Sequence, residues 1–221
     1  MATMNNTESK NDIMIVGTAV SKYFPQNRND IMILTVATRG SSSRTNYPRI
    51  AFYGAENVES INNAIEVDRY KHPHVLIQAS LETTRRIRDG QNAYYQTIVG
   101  KNISIAPTKL DSALNCPGNI SIDDVNRASI MGEVVHVFQM GTPQTEENKS
   151  PGYILSVKTV NERGRFSFLK LVCFSRNAQG IENVAVGDTV AAVGVIQTRP
   201  RNKVKPGETY ESIVCSDIVK L

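Results

Sequence analysis

Tryptophan is missing from this chain of 221 residues, and histidine and cysteine number only 3 each. Any flat aromatic surface must therefore come from its 8 tyrosines and 6 phenylalanines. The cysteines, Cys116, Cys173 and Cys215, lack metal-ligand spacing. Cys173 and Cys215 lie in apolar runs and read as buried, reduced thiols of a cytoplasmic protein. No cysteine or carboxylate completes a metal set with His72 and His74, in KHPH, so that segment reads as a surface loop. There is no Gly-x-x-x-x-Gly-Lys phosphate loop and no carboxylate pairing that sequence can support. Nothing here points to an enzyme, a cofactor or a metal. No apolar run approaches the roughly 18 residues of a membrane span. The opening MATMNNTESKND also lacks the apolar core of a signal peptide, and residues 1–11 read as a disordered tail.

What is present is a globular composition, 40% hydrophobic and 21% charged, with a net charge of +4. That mild excess of base hints at a polyanionic partner but does not establish one. The dominant feature is an internal repeat. IMIVGTAV (13–20) lies over SIMGEVVHV (129–137), each strand-like and broken by a glycine, Gly17 or Gly132. DIMILTVAT (30–38) matches GYILSVKTV (152–160), and YPRIAFYGAENVESI (47–61) matches FLKLVCFSRNAQGIENV (168–184). HVLIQASLETTRR (74–86) matches TVAAVGVIQTRPR (189–201), and AYYQTIVGKNISI (93–105) matches TYESIVCSDIVKL (209–221).

Each copy is thus five strands with a longer connection between the third and the fourth. That connection has helix-compatible spacing in the first copy, AENVESINNAIEVDRYKHP, and is shorter in the second. Two such units predict an all-β chain with minor helix, built as two tandem five-stranded OB-fold barrels. The boundaries are a first domain over 12–106, a linker over 107–127 and a second domain over 128–221.

RFSFLKLVCF (165–174) raises a chemical question. On a strand, one face carries Phe166, Phe168, Lys170, Val172 and Phe174, and the other Ser167, Leu169, Leu171 and Cys173. The second is an ordinary core face. The first mixes a lysine with three phenylalanines, which suits neither a core nor a plain solvated surface. The first copy repeats the pattern with Tyr47, Arg49 and Tyr53. Basic segments flank both faces at matching places. RGSSSR and NERGR, with Arg39, Arg44, Arg163 and Arg165, join the second and third strands. RRIRDG and RPRNKVKPG, with Arg85, Arg86, Arg199, Arg201 and Lys203, follow the fourth. Aromatics that stack bases, with cations for phosphates, make a sequence-tolerant single-strand platform. Tyr23-Phe24 and Tyr94-Tyr95 are read equally well as further stacking residues or as barrel packing.

LKLVCFSRNAQGIENVAVGDTVAAVGVIQTRPR, closed by SIVCSDIVKL, resembles the bacterial and phage single-stranded DNA-binding proteins. The likeness rests on the Gly187-Asp188 turn, the following strand with Gly194, the basic loop and the last strand. It implies that Phe174 and Phe168 stack on bases with Lys170 between them, and that Tyr53, Tyr47 and Arg49 do the same in the first copy. It further implies a non-enzymatic protein that coats single-stranded DNA in replication, recombination or repair. Expected partners are single-stranded DNA and replication or recombination proteins, with no membrane. The assembly is either a homodimer, which is favoured, or a single chain whose linker lets both barrels engage one strand. The sequence stops on SDIVKL without the acidic-tipped tail by which bacterial members recruit enzymes, so a phage or mobile-element version is expected. RNA binding, and an adaptor that buries the same aromatics against a protein, stay open as alternatives.

Overall fold

In the computed structural model the described residues are 9–26, 28–39, 44–88, 91–105, 124–140, 151–161, 164–174, 180–200 and 209–221. The first half contains β1 (Lys10–Tyr23), β2 (Ile31–Arg39), β3 (Thr45–Asn46), β4 (Arg49–Tyr53), α1 (Ala55–Ala64), β5 (His74–Arg88) and β6 (Gln91–Ile105). The second half contains β7 (Val125–Met140), β8 (Gly152–Val160), β9 (Phe166–Phe174), β10 (Thr189–Pro200) and β11 (Thr209–Lys220), with a short 3-10 turn at Ile181–Asn183. The chain is all-β with one α-helix among the described residues. Residues 1–8 of the expected tail, most of the linker and Cys116 fall outside those residues, while Lys10 and Asn11, expected in the tail, belong to β1.

Hydrogen bonding closes each half into a circuit. β1 pairs antiparallel with β2 and β5, β2 with β4, and β5 with β6. The parallel pair β4–β6 completes the ring. β7, β8, β9, β11 and β10 repeat this, with β9–β11 as the parallel pair. The repeat therefore survives in three dimensions down to its irregularities. The first strand of each copy carries a bulge, at Ala19/Ser21 and at Val134/His136. The glycine just before each bulge meets the next strand closely. A Cβ on Gly17 would lie 2.3 Å from the Ala37 carbonyl oxygen, and one on Gly132 2.3 Å from that of Lys158. Only glycine fits such an approach.

The interior follows from strand alternation. In β9, Ser167, Leu169, Leu171 and Cys173 are buried while Phe166, Phe168 and Lys170 are exposed. Each leucine withdrawn from water contributes about 1.5–3 kcal/mol. Cys173 and Cys215 are both buried and unbridged. The hydrogen bond between them, and then burial, push the Cys215 thiol well up. The first half solves the same place differently, with Phe52 fully buried against Gly100, where a Cβ would fall 2.2 Å from the ring. One large side chain beside none fills the space that two cysteines fill in the other copy.

The halves join by extending one sheet. β1 pairs antiparallel with β7, from Lys10–Met131 to Val16–Val125, with Ile13 opposite Ala128. Counting back from the matching bulges, Ile13 and Ala128 are each other's counterparts in the repeat, so a pseudo-two-fold axis passes through this pair. Side chains around the join obey the same symmetry, some bonding within a half and some across it. The Asn11 amide donates to the Leu81 carbonyl (2.7 Å) and accepts from the Leu81 N–H (2.9 Å). Asn126 does the same with Ile196 (2.8 and 2.9 Å) and also donates to Thr38 Oγ1 (3.0 Å). Ser9 Oγ accepts from the Val160 N–H, and the matching Asp124 Oδ2 accepts from the Arg39 N–H.

Two sequence expectations change. KHPH is not simply a surface loop: His74 opens β5, is buried, and lies with Nε2 3.9 Å from the buried Asp124 carboxylate. RRIRDG and RPRNKVKPG are not wholly loops either. β5 continues to Arg88 and β10 to Pro200, because hairpin pairing with β6 and β11 persists that far, so Arg85, Arg86 and Arg199 sit on strands.

Candidate nucleic-acid interface

The two aromatic–basic faces point outward, away from the core their own strands build. In the second half, Phe166 is 57% and Phe168 43% exposed, and Lys170 is exposed beside them. Phe174, at the strand's end, is half-buried. The adjoining strand completes the surface: Lys158 pairs with Phe168, Ser156 with Lys170 and Ile154 with Val172. Lys158 Nζ lies 5.0 Å from the Phe166 ring centroid and 3.1 Å from Glu133 Oε2. The cation thus steadies the aromatic face while remaining near its edge.

The first half repeats the surface with a break. Tyr53 and Tyr47 are exposed and Arg49 is half-buried. Pro48 interrupts the ladder, so Tyr47 stands between β3 and β4 rather than on a continuous strand, and the Pro48 carbonyl accepts from the Val36 N–H at 3.1 Å. Proline has no N–H to give a ladder, which accounts for the gap. Arg49 pairs with Thr35 as Lys170 does with Ser156, so the two cations hold equivalent places.

Of the other expected residues, Arg39 ends β2, exposed, and Arg44 is exposed just before β3. Arg85 is exposed on β5 and Arg199 on β10, where its Nη2 donates to Gln197 Oε1 at 3.3 Å. Arg165 is exposed before β9, its N–H donating to Asn161 Oδ1. Arg86 lies in β5, but its side chain is outside the described residues, as are Arg163, Arg201 and Lys203 altogether. Tyr23 and Phe24, and Tyr94 and Tyr95, are all exposed, so none of them lies in the core.

Sequence reasoning missed Phe138. It is 54% exposed at the far end of β7, opposite Ile154, just as Tyr23 lies opposite Ile33. The apolar pattern ends that strand at 137, but the repeat itself holds the signal, since Tyr23 stands at the same place in the other copy.

Also unforeseen is that each platform is composite. The Phe168 N–H donates to Thr83 Oγ1 (3.2 Å), whose hydroxyl donates back to the Phe168 carbonyl (3.0 Å). The Lys170 N–H donates to Gln96 Oε1 at 3.0 Å. Thr83 and Gln96 belong to the β5–β6 hairpin of the opposite half, which also carries Arg85, Tyr94 and Tyr95. Reciprocally, the Tyr47 N–H donates to Thr198 Oγ1 and the Arg49 N–H to Glu211 Oε1, both at 2.8 Å. Arg49 Nε also lies 3.4 Å from that carboxylate oxygen. Burial pushes the Glu211 carboxyl above its ordinary range, and the Arg49 N–H and guanidinium pull it partly back. The Gly187-Asp188 turn is formed as expected, with Gly187 at φ 93° and Asp188 held below the usual carboxylate range by Lys220 and then by the Ala185 N–H.

Among the described residues no group of three His, Cys, Asp or Glu could hold a metal ion, and no helix is long and apolar enough to cross a membrane. No protein-family model matches the sequence, and no curated protein matches it either. Solved structures do match. The wild-type single-stranded DNA binding protein of Thermus aquaticus superposes with a TM-score of 0.65 at 16% identity, over 97% of this chain and 94% of that one. A deletion mutant of the same protein gives 0.64 at 16% identity, over 97% and 95%. Over 97% of its length, this chain is similar in its all-β, OB-type fold to the Thermus aquaticus single-stranded DNA binding protein.

Proposed function

We propose that the chain is a non-enzymatic single-stranded DNA-binding protein, with each closed five-strand circuit acting as one OB barrel and presenting one stacking platform. The observation that carries this reading is the doubled outward face: exposed Tyr47 and Tyr53 with half-buried Arg49 on one half, and exposed Phe166, Phe168 and Lys170 with half-buried Phe174 on the other. Large aromatics interleaved with cations are costly to leave in water on two matching strands unless something flat and anionic covers them. Arg39, Arg44, Arg85, Arg165 and Arg199 supply phosphate contacts around the platforms, joined by Arg86, Arg163, Arg201 and Lys203, whose side chains lie outside the described residues. The likeness to the Thermus aquaticus protein supports the reading at the level of fold.

In this reading the protein coats single strands during replication or recombination in the cytoplasm. Two chains associate to bring four barrels together, closed two-fold dimers being the commonest soluble assembly. Titration with labelled oligo-dT of increasing length, at two salt concentrations, tests the binding. Affinity should fall steeply with salt and should far exceed that for a duplex, whose pairing hides the base faces. Equal affinity for the duplex would sink the proposal, and preference for poly-U over poly-dT would turn it toward RNA. Light scattering checks the assembly: a mass near 24.4 kDa at micromolar concentrations rules the dimer out.

A further inference from the structure

The contacts that hold each platform against the opposite hairpin correspond in place, and at one point they differ in charge. At the second platform, the Lys170 N–H is accepted by a neutral amide, Gln96 Oε1 (3.0 Å). At the equivalent point of the first, the Arg49 N–H is accepted by a carboxylate, Glu211 Oε1 (2.8 Å). Gln96 and Glu211 are counterparts in the repeat, since Gln96 lies opposite Thr83 and Glu211 opposite Thr198. The scaffolding hydrogen bond therefore does not require the charge, because the other half makes the same bond with an amide. The charge does something else. It sits 3.4 Å from Arg49 Nε with its side chain only 18% exposed, so it neutralises the one cation on that aromatic strand from a poorly solvated position. A phosphate approaching Arg49 meets a cation already matched and a carboxylate that repels it.

We propose that Glu211 is an affinity-setting residue that makes the Tyr47–Arg49–Tyr53 platform the weaker of the two. Single-stranded DNA then occupies the Phe168–Lys170–Phe174 platform first and the other only at higher concentration or on longer strands. This rests on the proposed single-strand binding.

The test uses the full chain and labelled oligo-dT long enough to span both platforms, across a salt series. Glu211→Gln installs the residue the other half already uses, so the scaffolding bond is kept. It should tighten binding roughly two- to fivefold at low salt, the scale of one partly exposed ion pair released. The slope of log K against log salt should steepen by about 0.7, the value for one more phosphate neutralised on a single strand. The mirror change, Gln96→Glu, should weaken binding and flatten the slope by a similar amount. In an Arg49→Ala background, Glu211→Gln should lose most of its effect, which a merely structural role for Glu211 would not produce.

Unchanged affinity and slope in Glu211→Gln, or a gain that persists without Arg49, overturns the inference while leaving single-strand binding intact. If Glu211→Gln fails to fold, Gln96→Glu decides: no weakening there overturns the inference equally. If the unaltered chain binds no oligo-dT at any salt concentration, the proposed function itself falls, a result distinct from the others.

Discussion

The two halves share a strand order, matching bulges and matching glycines, yet their binding faces are built to different standards. β9 runs unbroken from Phe166 to Phe174, whereas Pro48 splits the equivalent segment and leaves Tyr47 off the ladder. Lys170 faces the neutral Gln96 and Arg49 the charged Glu211. Among the described residues, the first half alone carries an α-helix after that strand, and Lys22 Nζ closes the helix end on the Asn62 and Ile65 carbonyls (3.0 and 2.8 Å). What stays constant is whatever closes the circuit and joins the halves. What varies is the electrostatic and steric finish of the surface and, at one place in the core, Phe52 with Gly100 against Cys173 with Cys215. Fold and affinity are thus set by largely separate residues.

The difference can be probed most forcefully in the core. Gly100→Cys should destabilise the first half by about 3 kcal/mol, because the added atoms must enter the Phe52 ring. Adding Phe52→Cys copies the Cys173–Cys215 solution and should recover most of that loss; urea melts of the single and double variants measure both. If the double variant is no better than the single one, the two halves do not solve the same packing problem. The paired clamps come next. Asn126→Ala orphans the Ile196 N–H and carbonyl in a buried place and should cost about 2–3 kcal/mol. Asn11→Ala leaves a partly buried pair and should cost nearer ~1 kcal/mol by the same measurement.

Binding separates the halves more finely. Phe168→Ala and Tyr53→Ala should each weaken oligo-dT binding by about 1–3 kcal/mol, one base–aromatic stack apiece, with the loss at Phe168 the larger. Phe174→Ala belongs in the same range. Because Phe168 and Tyr53 are exposed, melting temperatures should hardly move. A large drop in melting temperature with unchanged affinity would return these side chains to a structural role.

The smallest effect concerns acidity. Burial raises the Glu211 carboxyl, so the folded state holds that proton more tightly than the unfolded chain does. The associated stability is fully present below the ordinary carboxylate range and is lost as pH rises through the raised value. At neutral pH the carboxylate is therefore carried at a net cost, which Glu211→Gln removes. The variant should melt slightly higher than the unaltered protein at pH 7, and the gap should close on acidification. A gap that widens in acid would mean that the ion pair with Arg49 outweighs burial.

Much of this was legible in the sequence because strands write their two faces at period two, and because the repeat gave each reading a second copy to check. The buried Leu169, Leu171 and Cys173 and the exposed Phe166, Phe168 and Lys170 follow from that alternation alone. What could not be read was any contact between the halves. Thr83 holding Phe168, or Glu211 holding Arg49, depends on how the circuits are placed about their shared strands, and no local pattern encodes that. Phe138 was missed because a strand's end is set by pairing rather than by propensity. His74 was misplaced because it lies buried beside Asp124, a neighbour far along the chain.

Because Ile13 faces its own counterpart Ala128, a single chain holds the symmetry that identical chains reach only by association. Two copies of one half-length chain would receive every substitution twice, once on each side of the axis. Here one codon alters one side. Glu211 across from Gln96, or Phe52 with Gly100 across from Cys173 with Cys215, is a combination that no self-associating half could encode, and joining the copies end to end makes each side separately writable.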